Sequence, residues 1–154
     1  MARLGLALNA AKTSIKDARR ERFDFLGYSF GPHYFRKDGH WYLGASPSKK
    51  SVQRLKGKIG GILVPGNIGA WPEVRDRLNA LLRGWSGYFG YGTRLMAYRA
   101  IDRHVLDRVR RFLVRRHHVP GRGTTRFPDK AIFGELGVLW LRRVHVGAPT
   151  CASR

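Results

Sequence analysis

The stretch Pro72–Gly92, PEVRDRLNALLRGWSGYFGYG, decides how the rest of this 154-residue chain is read. Val74, Leu78, Leu81, Trp85 and Tyr88 recur at steps of three and four, which lays them along one helical face. Pro72 suits a first helical position, where its missing N–H is no loss, and Glu73 complements the positive end of the helix dipole. About twenty helical residues span roughly 30 Å, the width of a small domain. Gly84 and Gly87 bracket Trp85, and each costs a helix interior about 1 kcal/mol against Ala. Their presence predicts that another backbone, or a ligand, comes close beside the Trp.

Working outward, a helix is expected on each side. Upstream, Ser46 and Ser48 are candidate caps and Pro47 fits a first turn. Val52, Leu55, Ile59 and Ile62 then form an apolar stripe, and Lys49, Lys50, Arg54, Lys56 and Lys58 occupy the other faces. Gly60-Gly61 and Val64-Pro65-Gly66-Asn67 predict a loop into the central helix. Downstream, a helix from about Arg94 to His117 buries Tyr98, Ile101, Val105, Val109 and Phe112. Arg99, Arg103 and Arg110 share a second face of it, and Arg108, Arg111 and Arg115 a third. Arg116 ends the basic run.

No acidic residue stands between Asp38 and Glu73, nor between Asp107 and Asp129. A solvated helix face ordinarily mixes signs to gain i,i+4 pairs, so these two faces read as phosphate-contacting. Asp102 and Asp107 sit beside arginines and read as salt-bridge partners.

The flanks are simpler. Leu4 and Leu8 suggest the end of a helix over residues 1–11, and Lys12 to Lys16 a short strand. Phe23, Phe25, Tyr28 and Phe30 make an aromatic strand, and the Asp38-Gly39 turn returns through Trp41-Tyr42-Leu43 as a β-hairpin. Past Pro120–Thr125, a basic loop, the apolar residues Ile132, Phe133, Leu136, Val138 and Leu139 are expected to pack back on the helices. Residues 147–154 read as a frayed tail.

Composition points to an anionic partner. Thirty Lys and Arg against ten Asp and Glu give a formal charge of +20, which self-repels in a compact chain unless something anionic covers it. Nucleic acid is the default, and an acidic membrane surface or generic duplex DNA the competitor. Hydrophobic content of 43% supports a core. No run reaches the eighteen or so apolar residues of a membrane span, and no signal peptide opens the chain. The single cysteine, Cys151, excludes an internal disulfide framework and fits a reducing cytoplasm.

Four stretches in order carry a resemblance: Leu4–Thr13 (LGLALNAAKT), Phe23–Phe30 (FDFLGYSF), Ser46–Ile59 (SPSKKSVQRLKGKI) and Leu78–Gly92 (LNALLRGWSGYFGYG). Together they resemble the end of the palm and the thumb, or maturase-specific X domain, of group II intron reverse transcriptases. The resemblance implies an α+β chain: a palm-derived β-hairpin over residues 1–45, then an antiparallel three-helix thumb bundle over 46–146. It implies a bacterial-type cytoplasmic protein that binds group II intron RNA in support of splicing and clasps a template–primer duplex. The hairpin residues Leu26, Gly27 and Tyr28 would grip the primer, Gly27 by letting a sugar-phosphate approach. Lys49, Lys50, Arg54, Lys56, Lys58, Arg83, Arg99, Arg103, Arg110, Arg111, Arg115 and Arg116 would contact RNA. Tyr91, Trp41 and Arg83 are the candidates to stack on bases.

Catalysis is not expected of this chain alone. The resembling polymerases hold two metals on a YADD motif just before the first matching block, and no adjacent Asp-Asp occurs here. Any Mg²⁺ would belong to a separate fingers–palm part or to the RNA. His117-His118 is the only histidine pair, and neighbours on a helix point about a hundred degrees apart, a poor joint ligand set. Two alternatives stay open: half of a split RNA-directed DNA polymerase completed in trans by a fingers–palm polypeptide, and a truncated remnant without activity.

Overall fold

The computed structural model describes residues 17, 19–35 and 37–144. The helix end and strand expected within residues 1–16, and the tail from 147, lie outside the described residues.

The aromatic run at Phe23–Phe30 is two strands, not one. Strand β1 (Phe23–Phe25) turns at Leu26-Gly27 into β2 (Tyr28–Tyr34), which pairs in turn with β3 (Trp41–Pro47). The sheet is antiparallel throughout, in the order β1-β2-β3. Leu26 and Gly27 both take positive φ, +51° and +83°. That is the pattern of a type I′ turn, whose twist matches the strands it joins. The Asp38-Gly39 signal reads correctly: Gly39 has φ +74° and β2 faces β3 with Tyr34 opposite Trp41 and Tyr28 opposite Pro47.

Pro47 closes β3, and the next residue, Ser48, caps helix α1 (Lys49–Ile62) by accepting from the Ser51 N–H at 3.1 Å. Ser46 stays in the strand. Gly60 and Gly61 do not end the helix. Each glycine costs it about 1 kcal/mol, less than burial of Leu55 and Ile59 returns at roughly 1.5–3 kcal/mol per side chain, and both of those side chains are in the core. Helix α2 (Trp71–Tyr88) starts with Pro72 and Glu73 in the first turn as expected. Its stripe is Val74, Leu78 and Leu82, with Trp85 half-buried; Tyr88 is 53% exposed. Helix α3 (Leu95–Arg116) buries all five expected residues.

The three helices meet over one core to which Ile59, Leu78, Leu82, Ile101, Val105 and Val109 contribute. Ile132, Val138 and Leu141 of the C-terminal segment complete it. In its described residues that segment forms a π turn at Ala131–Glu135 and a 3₁₀ turn at Leu141–Arg143. Polar clamps on the helices hold it in place. Asn79 donates to the Gly137 carbonyl and accepts from the Leu139 N–H, both at 2.8 Å. The buried Asp102 carboxylate accepts from the N–H groups of Leu141 and Arg142 and pairs with the Arg142 guanidinium at 3.1 Å.

The sheet docks on the bundle without a linker. The Gly27 carbonyl accepts from the Ser48 N–H and the Ser51 hydroxyl, each at 2.8 Å. On the far side, the Thr93 N–H donates to the Ala45 carbonyl at 2.7 Å. The result is the expected α+β order, with a three-stranded sheet where a two-stranded hairpin was anticipated.

Candidate nucleic-acid interface

Helix α1 turns Leu55 and Ile59 inward, so its basic residues flank that stripe on both sides. Lys49, Lys50, Arg54 and Lys58 are exposed and Lys56 is half-buried. On α3, Arg99, Arg103, Arg111 and Arg115 are exposed, and Arg83 is exposed on α2. Among the described residues, none of these ten has a carboxylate oxygen within 4 Å. Their charge is left to solvent or to a ligand.

The two basic helices are joined along a seam. His104 of α3 packs beside Lys56 of α1; burial, and then the Lys56 ammonium, push its imidazole below the usual 6.5. One turn on, Arg108 lies over Gly60, where an added Cβ would stand 3.2 Å from its Nη2. Gly60 thus serves the contact between helices rather than a loop, and cations of both helices adjoin there.

Two arginines of the expected set are engaged within the fold. Arg110 donates through Nε to the Phe127 carbonyl at 3.0 Å and pairs with Asp129 at 2.7 Å, its side chain only 12% exposed. Arg116 donates to the Gly69 carbonyl at 2.6 Å, and its guanidinium stands 5.5 Å from the centre of the Phe112 ring. Neither partner was visible in the neighbouring sequence, because Asp129 and Gly69 reach these arginines across loops.

The hairpin residues come together with α2. Tyr28 hydrogen-bonds Tyr88 and packs its ring, tilted by 48°, at 4.9 Å from Phe89, while Leu26 is exposed at the turn. At Gly27 the close approach comes from the protein itself: a Cβ there would meet the Ser51 hydroxyl at 2.9 Å and the Phe89 ring at 3.0 Å. Among the described residues, Gly84 and Gly87 have nothing within 4 Å of a built Cβ beyond their own helix turn, so none of those residues brings a backbone close beside Trp85. Trp85 instead packs on Phe89 at 4.7 Å and on Tyr98 at 5.9 Å. The sequence reading missed the exposed aromatic cluster that results. Phe25, read from the sequence as part of the aromatic strand, is 60% exposed, and with Tyr88 and Tyr91 it borders a shallow hollow of about 390 Å³. Trp41 is exposed at the outer end of β3.

Asp102 does pair with an arginine, but with Arg142 across the fold rather than with its neighbour Arg103. Burial raises its carboxyl above the usual range, opposed by the two backbone N–H groups and by Arg142. His117 and His118 are exposed, and His117 rests against the Phe127 ring. Among the described residues no group of three His, Cys, Asp or Glu side chains is placed to hold a metal, and no helix is long and apolar enough to cross a membrane.

A bundle of three helices with two uncompensated basic faces, set on a small antiparallel sheet, defines a basic helical module. Residues 52–127, running from the first turn of α1 to Phe127 beyond α3, match the family described as group II intron, maturase-specific domain, and the chain carries such a domain over these residues. No curated protein matches the chain.

Proposed function

We propose that this chain is an RNA-binding module of the maturase type, holding folded group II intron RNA and so supporting splicing. The observation that carries the reading is the maturase-specific match lying over the two helices on which, among the described residues, nine of the expected cations have no carboxylate within 4 Å. Lys49, Lys50, Arg54, Lys56 and Lys58 on α1 and Arg99, Arg103, Arg111 and Arg115 on α3 neutralise phosphates, with Arg83 beside them. Guanidinium groups suit this task because they bind phosphate bidentately and stack on unpaired bases. Arg110 and Arg116 act mainly by fixing the loops that frame α3.

The hairpin turn at Leu26, Gly27 and Tyr28, with exposed Phe25, Tyr88 and Tyr91 nearby, is the surface we assign to a template–primer duplex. In this reading the chain contributes grip and no metal chemistry, and polymerisation belongs to a fingers–palm part. The test is competition binding with folded group II intron RNA, duplex DNA and anionic vesicles over a range of salt. Preference for the intron RNA, with affinity falling steeply as salt rises because counterions are released, supports the proposal. Equal binding to duplex DNA or vesicles rejects it.

A further inference from the structure

Between α3 and the C-terminal segment lies a second basic feature, a cleft of about 1040 Å³. Arg99 and Arg103, one turn apart on α3, stand on one wall and Lys130 on another. Met96, 66% exposed, lies at its edge. Phe133 and Trp140 line it as a stacked pair, ring centres 4.9 Å apart and planes within 13°. The Arg143 guanidinium lies 4.2 Å from the centre of the Trp140 ring, and the indole Nε1 is buried without a hydrogen-bond partner among the described residues.

The two carboxylates of the cleft are already engaged. Asp102 is held by Leu141 and Arg142, and Asp129 by Arg110. The field inside is therefore positive while the lining is largely flat and apolar. A phosphate chain flanked by planar bases satisfies both properties, because aromatic surfaces take bases of any sequence and the rim takes their phosphates. A paired helix satisfies only the rim, since its bases are already stacked on one another. The cleft also continues the α3 face, through Arg99 and Arg103, that is assigned above to RNA.

We infer that this cleft seats a short unpaired stretch of the RNA, its phosphates on Arg99, Arg103 and Lys130 and a base against the Phe133–Trp140 pair. The inference rests on the RNA-binding reading and adds a single-strand subsite to it.

The experiment uses the full chain, an oligouridylate and an RNA hairpin as probes, and the double variant Met96→Glu with Lys130→Gln. Both positions are exposed and neither belongs to the α1 and α3 contacts proposed above. The variant is expected to bind the oligouridylate roughly tenfold more weakly through one lost phosphate contact and one added repulsion, with hairpin binding changed by less than about twofold. In the unmodified chain, a 4-thiouridine oligouridylate is expected to cross-link to peptides holding Met96–Leu106 or Lys130–Arg143. Unchanged oligouridylate affinity in the variant, cross-links confined to α1, or displacement of the oligouridylate by a polyglutamate peptide as readily as by RNA overturns the inference. Hairpin binding without oligouridylate binding removes this subsite alone; loss of both removes the RNA-binding reading with it.

Discussion

Tyr28 and Tyr88 clasp the sheet to the bundle through a reciprocal pair of hydrogen bonds. The Tyr28 hydroxyl donates to the Tyr88 carbonyl at 2.6 Å, and the Tyr88 hydroxyl donates back to the Leu26 carbonyl at 2.8 Å. The carbonyl at the end of α2 thus gains a partner from the hairpin, and the exposed turn gains one from the helix. Replacing either tyrosine by Phe is expected to cost about 1 kcal/mol, the usual net value of one such bond. Urea unfolding of Tyr28→Phe, Tyr88→Phe and the pair measures it. A null effect of both would mean that water replaces the clasp without loss.

Asp102 joins α3 to the C-terminal segment with two backbone N–H groups and one guanidinium. Asp102→Ala leaves those donors without an acceptor and is expected to destabilise the fold by about 3 kcal/mol. Protease cleavage after Arg142 or Arg143 should speed up in parallel, because the same carboxylate holds the turn that carries them. A variant that melts like the parent would show that the segment is held by its apolar contacts alone.

Gly84 and Gly87 lie inside α2, and among the described residues nothing occupies the space where a side chain would go. Ala at each is expected to stabilise the chain by about 1 kcal/mol, from helix propensity and from a less free unfolded chain. Thermal melts check this. A loss of RNA affinity at raised stability would place the ligand against this face of α2.

His104 provides a pH signature. Its folded pKa is depressed below 6.5 by burial and then by Lys56, with Arg108 acting in the same direction and Asp107 against it. Below that value the unfolded chain binds a proton that the folded chain refuses, so stability falls as pH falls through the window beneath 6.5. Above 6.5 the neutral ring costs nothing and the full stability is present. The unmodified chain should therefore lose stability relative to His104→Gln between about pH 8 and about pH 5. A pH-independent difference between the two would contradict the burial of the ring.

Arg110 and Arg111 are neighbours with opposite expected roles. Arg111→Gln should lower RNA affinity and reduce the slope of log affinity against log salt by about one phosphate contact, with little change in melting. Arg110→Gln should leave the slope nearly unchanged and lower stability by about 1–3 kcal/mol, because its bonds to Asp129 and Phe127 lie within the fold. Exchanged outcomes would reverse the assignment of the two faces.

The helices could be read from the chain because apolar periodicity is a local property. Tyr98, Ile101, Val105, Val109 and Phe112 are buried as spaced, and Ser48 caps α1 as its chemistry suggests. Where two local signals competed, the sequence was ambiguous. Leu26-Gly27 looked like part of a strand because a non-glycine residue at positive φ leaves little trace in composition. Gly60-Gly61 looked like a break because the arginine that crosses it lies forty-eight residues further on. In α2, Leu82 rather than Tyr88 faces the core, since Tyr88 is drawn to the hairpin turn by its hydroxyl.

By itself, then, the amino-acid order determined the three amphipathic helices, the surplus of positive charge and the family to which they point, because each depends on residues within a few turns of one another. Only the tertiary structure decided which cations remain available. Asp129 and the Gly69 carbonyl reach Arg110 and Arg116 from distant loops, and the C-terminal segment folds back to make a second basic cleft beside α3. Coulomb attraction and hydrogen bonding act through space, and the partners of a charge are set by where the packed chain brings its far segments.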